Sequence, residues 1–296
     1  MKIKSTEIDK TFAEAFSLWG ARIIITAETI EWAKTAAHSM TGFATSVIGC
    51  GCEAGIETEL AKTKTPDKRP GVSVLLFTLD KKNIQERLVE RIGQCVMTCP
   101  TTSCYNGLYD SEETVNVGGQ LRYFGDSFQI SKKLNGQRFW RIPVMDGEFI
   151  IEEEFKVQKS VGGGNIFLLG ENPDVTLQAA KDAAQSMRKI SGVILPFPDG
   201  VVRSGSKVGS KYKALSASTN HAFCPTLKGI VEDTSLDDDV NCVLEIVVDG
   251  FDEKAVKSAM RAGIKTAARK GIKKITAGNY GGKLGQYKIN LHDILK

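Results

Sequence analysis

The 296-residue chain has no apolar run approaching the length of a membrane span, and nothing near its N-terminus combines a basic start, an apolar stretch and a small-residue cleavage site. These absences predict a soluble, cytoplasmic protein. A bias toward one sign of charge is missing too. The 39 Lys and Arg are interspersed with 35 Asp and Glu, for a net charge of +4, which argues against nucleic-acid binding but leaves a mildly basic surface suited to small anionic substrates. The seven cysteines (Cys50, Cys52, Cys95, Cys99, Cys104, Cys224 and Cys242) are too few and too unevenly spaced for a disulfide scaffold. Neither Cys50-Gly51-Cys52 nor the group Cys95, Cys99 and Cys104 has the paired spacing of a structural zinc site, so free thiols and no metal are expected. His38, His221 and His292 sit far apart, and no Ser-His-Asp or Cys-His arrangement can be read from them. The stretch Arg203 to Lys211 looks like a phosphate cradle, but its lysines stand in the wrong places for a P-loop, which leaves nucleotide hydrolysis unsupported.

With 42% hydrophobic residues, the chain can bury a sizeable core as one large or two medium domains. Its pattern repeats. Ile23-Ile24-Ile25 leads into a helical segment ending at Met40 and then the strand-like Ala44 to Ile48. Far downstream, Ile166 to Leu169 leads into a helix opened by Pro173 and ending at Met187, followed by Val193 to Leu195. A second unit also recurs. Val72 to Phe77 precedes a helix with Ile84, Leu88, Val89 and Ile92 on one face, and Cys242 to Val248 precedes one with Val256, Ala259, Met260 and Ala267 inward. Two strand-helix-strand units per half predict an α+β protein of two ferredoxin-like split βαβ lobes, over residues 1–150 and 151–296. Such sheets carry helices on one face, so the apolar residues of the other face must be covered by the second lobe or by another subunit. Leu121 to Phe124, Phe139 to Ile142 and Glu148 to Ile151 read as short strands of a β insertion in the first lobe, turning at Asn135-Gly136 and Asp146-Gly147.

Against this apolar background one acid stands out. Glu245 interrupts Cys242-Val243-Leu244-Glu245-Ile246-Val247-Val248, and a carboxyl in such a place is costly unless paired, protonated or at work. Desolvation can keep it neutral near pH 7, ready to donate a proton or hydrogen bond; the structural alternative is an ion pair with a neighbouring Arg or Lys. If Asp80 is aligned with Asp249 in the repeat, Glu245 falls opposite Leu76, so the fold itself does not call for an acid there. Two loops add ligand-binding potential. One runs from Arg203 to Asn220 and is rich in Ser, Gly and Lys; the other, Gly278 to Tyr287, holds four glycines in its first eight residues. A solvated loop and a tight turn or subunit contact are the respective structural alternatives. Cys95, placed in a strand Cys95 to Thr98, reads more readily as a small buried hydrophobe than as a nucleophile.

Together these segments carry a resemblance. Asp9 to Phe16, Arg91 to Thr98, Ser206-Lys207-Val208-Gly209-Ser210-Lys211 and Ala277 to Tyr287 are similar to the formylmethanofuran:tetrahydromethanopterin formyltransferase family, and the similarity runs from end to end. It implies two ferredoxin-like lobes in a homotetramer built from dimers, with active sites in clefts between subunits. The implied reaction carries a formyl group from the amine of methanofuran to a ring nitrogen of tetrahydromethanopterin, without metal or prosthetic group. In that family the acid of the apolar strand in the C-terminal lobe is the proposed active-site residue, which Glu245 matches; Cys99 and Cys104 depart from the family pattern. Ser206, Lys207, Ser210, Lys211, Ser218, Thr219, Asn220, Asn279 and Lys283 are the candidate substrate-binding residues, the lysines for acidic substrate tails. A nucleophile with an adjacent base is not visible, so direct transfer through a tetrahedral intermediate is expected rather than an acyl-enzyme. Two other classes stay open from residues alone: a non-catalytic binder of a pterin or other acidic ligand, and a cysteine-dependent amidohydrolase using Cys95.

Overall fold

The structure, a computed structural model, describes residues 1–296. The chain divides into two compact units: one of Met1–Phe16, Gly162–Asp249 and Glu253–Lys296, the other of Ser17–Val161 with Gly250–Asp252. Two of the cuts fall inside the long strands Phe12–Thr26 and Glu154–Gly170, and the other two flank Gly250–Asp252 at the end of the strand Cys242–Gly250.

In the first unit the strands Ile272–Thr276, Glu154–Gly170, Cys242–Gly250 and Val193–Ile194 lie side by side in that order. This is the split βαβ arrangement, in which each crossover skips a strand. Thr6–Ile8 adds a further strand, parallel to Ile272–Thr276, with Ile8 opposite Ile275. Two helices cover one face. Pro173–Met187 is opened by Asn172, whose side chain accepts from the Val175 N–H, and by Pro173 in the first turn, where its missing N–H is harmless. Ala179, Ala180, Ala183, Ala184 and Met187 form its buried stripe, and Val256, Ala259, Met260 and Ile264 that of Glu253–Ala267. The helices touch at Gly263, where an added Cβ would meet Met187 Sδ at 2.6 Å. The opposite face is covered in part by the unit's own chain. Phe167, Leu169, Leu236 and Val240 form a small apolar cluster there, with Phe223 and Val243 packed against it.

The second unit repeats the order with Ser103–Asn106, Phe12–Thr26, Gly71–Thr78 and Cys52–Leu60. Its second strand is Cys52–Leu60, while the expected Ala44 to Ile48 contributes only Thr45–Ser46. Helices Ile30–Thr41 and Lys81–Arg91 bury Ala33, Ala36, Ala37, Met40, Ile84 and Leu88. Each fully buried Ile or Leu contributes about 1.5–3 kcal/mol. The β insertion extends the Ser103–Asn106 edge through Gly147–Glu152, Gln137–Val144 and Ile130–Leu134.

Four local expectations are corrected. Leu121 to Phe124 is helical, ending Gly118–Leu121 and entering the 3-10 turn Arg122–Gly125; the Arg122 guanidinium folds back onto Gly119 O at 3.0 Å and over the Tyr123 and Trp140 rings, a tertiary clasp that overrides the strand-like composition. Cys95 to Thr98 is not a strand, because the preceding helix continues as a π-helical turn over Ile92–Val96. Its apolar run follows the helical period and joins the helix-side core. The second insertion turn is Met145-Asp146, since Gly147 already pairs with Val144. Finally, the helices begin at Lys81 and Glu253, so the residues that precede them, Asp80 and Asp252, are the equivalent pair. Glu245 then falls opposite Ser73 rather than Leu76.

Candidate active site

Strand alternation places Glu245. Val248 points at the helices, where it lies with Val256 and Met260 around Gly164, so Val243 and Glu245, an odd number of residues away, point to the other face. Glu245 N–H donates to Val202 O at 2.9 Å and its carbonyl accepts from Val202 N–H at 2.8 Å, which locks its backbone. The carboxyl makes no hydrogen bond or ion pair within the chain. The residue retains some accessible surface, yet its surroundings withhold water enough that desolvation alone pushes its pKa up to about 7. It faces a cavity of about 40 Å³ lined by Phe167, Val202, Arg203, Ser204, Gly205, Asn220, Phe223, Cys224 and Val243, room for very few water molecules.

The two sequence-selected loops contribute differently. Ser206–Val208 and Ala217–Thr219 form a hairpin with Ser206 opposite Thr219 and Lys207 opposite Ser218. Its base is closed by Asn220 N–H on Gly205 O at 3.3 Å. Of the residues proposed in this loop, Asn220 lines the Glu245 cavity. Ser206, Lys207, Ser210, Lys211, Ser218 and Thr219 extend from its rim on the hairpin, where Ser218 Oγ donates to Gly209 O at 2.7 Å and Ser210 Oγ accepts from the Tyr212 N–H at 3.0 Å. Beside the hairpin, His221 pairs with Asp233 at 2.8 Å. That contact, joined by the charge of Lys207, holds the Asp233 carboxyl below its usual range.

The Gly278 to Tyr287 segment wraps around a buried carboxylate. Glu14, 1% exposed, accepts from Tyr280 and Gly282 N–H at 2.7 and 2.9 Å through Oε2, and from Leu284 and Gly285 N–H at 2.6 and 2.5 Å through Oε1. Burial raises its pKa, but the four N–H groups outweigh that and hold it at about 2. Gly281 and Gly282 have φ of +69° and +71°, a left-handed pair that glycine adopts without strain. Asn279 is occupied structurally: its Nδ2 donates to Thr11 Oγ1 and Phe12 O, and its Oδ1 accepts from Gly281 N–H. Lys283 lies exposed on the same loop. Arg203, Ser204 and Tyr280 fall within the two loops singled out in the sequence without being named as candidates, and Glu14 lies outside both; a Tyr inside a glycine-dense loop after a strand was the available signal for Tyr280.

No group of three or more His, Cys, Asp or Glu side chains is arranged to hold a metal ion. Cys95 is half-buried and packs against the helix-side core of its unit.

Comparison with known proteins agrees along the whole chain. Residues 1–144 match the family model described as formylmethanofuran-tetrahydromethanopterin formyltransferase, and residues 147–294 match "FTR, proximal lobe". Formylmethanofuran--tetrahydromethanopterin formyltransferases from Methylobacillus flagellatus and Methanocaldococcus jannaschii are 55% and 49% identical, each aligned over 100% of both chains. The solved enzyme from Methanosarcina barkeri superposes with a TM-score of 0.94 at 47% identity, covering 99% of this chain and 100% of that one. A chain of the formyltransferase/hydrolase complex from Methylorubrum extorquens, crystallised with methylofuran, superposes with a TM-score of 0.97 at 46% identity, covering 100% and 99%.

Proposed function

The chain belongs to the formylmethanofuran:tetrahydromethanopterin formyltransferase family, and from that premise we propose that Glu245, as a neutral carboxylic acid, stabilises the tetrahedral intermediate of formyl transfer. The enzyme is a transferase acting on two small coenzymes, formylmethanofuran and tetrahydromethanopterin. The observation that carries the proposal is an unpaired carboxyl, raised to about 7 by desolvation, aimed into a small cavity at the foot of the Arg203 to Asn220 loop.

Transfer requires the ring nitrogen of tetrahydromethanopterin to attack the formyl carbon. A C–N bond forms, the carbonyl oxygen takes up negative charge, the bond to the methanofuran nitrogen breaks, and a proton passes from the incoming amine to the departing one. A neutral Glu245 donates a hydrogen bond to the developing oxyanion and keeps its own proton, so it is ready for the next turnover. Asn220 and Ser204, which line the cavity, orient the substrates in this reading, and the hairpin lysines Lys207 and Lys211, with Lys283 on the second loop, attract their acidic tails. Transfer is direct, without a formyl-Cys intermediate; mass spectrometry of enzyme quenched during turnover should show no formyl thioester at Cys95. The family membership also supports a homotetramer built from dimers, working in the cytoplasm, and no helix is long and apolar enough to cross a membrane.

The test is a pair of substitutions. Glu245→Ala removes the donor and should lower kcat by roughly 10²–10³-fold, the size associated with one oxyanion donor. Glu245→Gln keeps a donor that does not titrate, so it should retain more activity and lose the alkaline decline in kcat near pH 7. Wild-type kcat in Glu245→Ala would end the proposal.

A further inference from the structure

We propose that Tyr280 is a second hydrogen-bond donor to the reacting formyl group, and that Glu14 is the positioning residue that presents it. The inference rests on the reading of Glu245 as the first donor. Tyr280 is 37% exposed, and its hydroxyl bonds to no group in the chain, so the donor is free for a ligand. Its ring lies 6.2 Å from that of Phe16 at an angle of 53°, which steadies the side chain without using the hydroxyl. The loop beneath it is fixed at both ends. Gly278 N–H donates to Asn165 Oδ1 at 2.6 Å and Asn165 Nδ2 returns a bond to Gly278 O at 3.1 Å. At the other end, Gly285 lies so close to Glu14 Cγ and Ala15 O that an added Cβ would come within 2.6 Å of each.

That anchoring sets the loop over the sheet face that carries Glu245. Asn165 and Phe167 alternate onto that face, Gly278 sits against the Phe167 ring, and Phe167 lines the Glu245 cavity. Burial first, and the nearby Glu14 carboxylate with it, raise the pKa of the phenol and keep it protonated. A group that holds its proton donates a hydrogen bond without transferring it, so the balance of the reaction is unchanged. An ionised carboxylate under a loop is a costly way to shape a turn unless the exact placement of what the loop carries matters. The Tyr280 N–H is itself one of the four donors to Glu14, so the carboxylate grips the residue whose hydroxyl is proposed to work.

Tyr280→Phe removes only the oxygen and retains the packing on Phe16. It should lower kcat by about 10²-fold, with KM for both coenzymes within about threefold of wild type. Glu14→Gln should lower kcat by about tenfold in the wild-type background and by less than about twofold in the Tyr280→Phe background, because the two substitutions remove the same interaction. A merely structural Glu14 would impair both backgrounds equally. That result, or Tyr280→Phe within about twofold of wild-type kcat, overturns the proposal. Tyr280→Phe alone decides the donor role if Glu14→Gln does not fold, and Glu14→Asp then replaces it in the cycle. Glu245→Ala is assayed alongside: an inactive Glu245→Ala with an unimpaired Tyr280→Phe sinks the Tyr280 role alone, whereas a fully active Glu245→Ala sinks the reading of Glu245.

Discussion

Glu14 and Glu245 belong to the same folded unit and receive opposite treatment. Four backbone N–H groups converge on Glu14 and hold it ionised, with a pKa of about 2; none reaches Glu245, and desolvation carries it to about 7. Burial penalises both charges; at Glu14 the hydrogen bonds outweigh that penalty, and at Glu245 nothing offsets it. One carboxyl is spent on shape, and the other is left uncompensated and therefore chemically available. Glu152, in the other unit, behaves like Glu245: burial raises it to about 7 although the Asn106 N–H donates to it at 3.1 Å. A single neutral donor is a small offset against desolvation, whereas four are decisive.

The contrast can be broken experimentally, and the largest effect belongs to catalysis: the roughly 10²–10³-fold loss of kcat in Glu245→Ala, measured with formylmethanofuran and tetrahydromethanopterin. Next in size is the loss of fold stability in Glu14→Gln. Charge-assisted bonds to four N–H groups are replaced by one neutral acceptor and a misplaced donor, which should cost about 3 kcal/mol in denaturant unfolding at pH 7. The pH dependence sharpens the point. The folded pKa of Glu14 lies below its unfolded value, so its contribution is complete above about pH 4.5 and disappears as pH falls toward about 2. Wild type and Glu14→Gln should therefore converge in stability at the acid end.

Glu245 has the opposite sign. Its folded pKa lies above the unfolded one, so the folded state binds the extra proton between about pH 4.5 and 7 and loses stability as pH rises through that window. Glu245→Gln should consequently be more stable than wild type at pH 8, by about 2 kcal/mol once partial solvent access is allowed for, and equal to it below about pH 4.5. A destabilised Glu245→Gln at pH 8 would mean that the carboxylate has a partner in the working enzyme. The smallest expected effect is at the rim. Lys207→Ala or Lys211→Ala should raise KM a few-fold, leave kcat and stability within about 0.5 kcal/mol of wild type, and lose its effect as salt is added.

Glu245 was legible in the sequence because a lone acid breaks an apolar strand, and the strand's alternation says which neighbours share its face. Glu14 gave no such signal, since its four donors lie 266 to 271 residues away. The glycine density of the loop at 278–285 could be seen, but its reason could not: the glycines let the backbone close around an internal carboxylate rather than around a ligand. For the same reason Asn279, attractive as a binding residue by composition, has its amide engaged by Thr11, Phe12 and Gly281. Leu121 to Phe124 shows the other kind of limit, where Arg122 reaching Gly119 and two rings turned a strand-like tetrapeptide into a helical one.

By itself the sequence determined the repeated split βαβ architecture, because the hydrophobic period of each helix and strand is a local property of the chain. It also determined that an isolated acid would sit among apolar neighbours. Only the tertiary structure decided that Thr6–Ile8 would join the sheet beside Ile272–Thr276, and which buried glutamate would be ionised. A carboxyl's charge state is set by its desolvation and by the N–H groups that come within hydrogen-bonding distance, and for Glu14 the fold brings those groups from the far end of the chain.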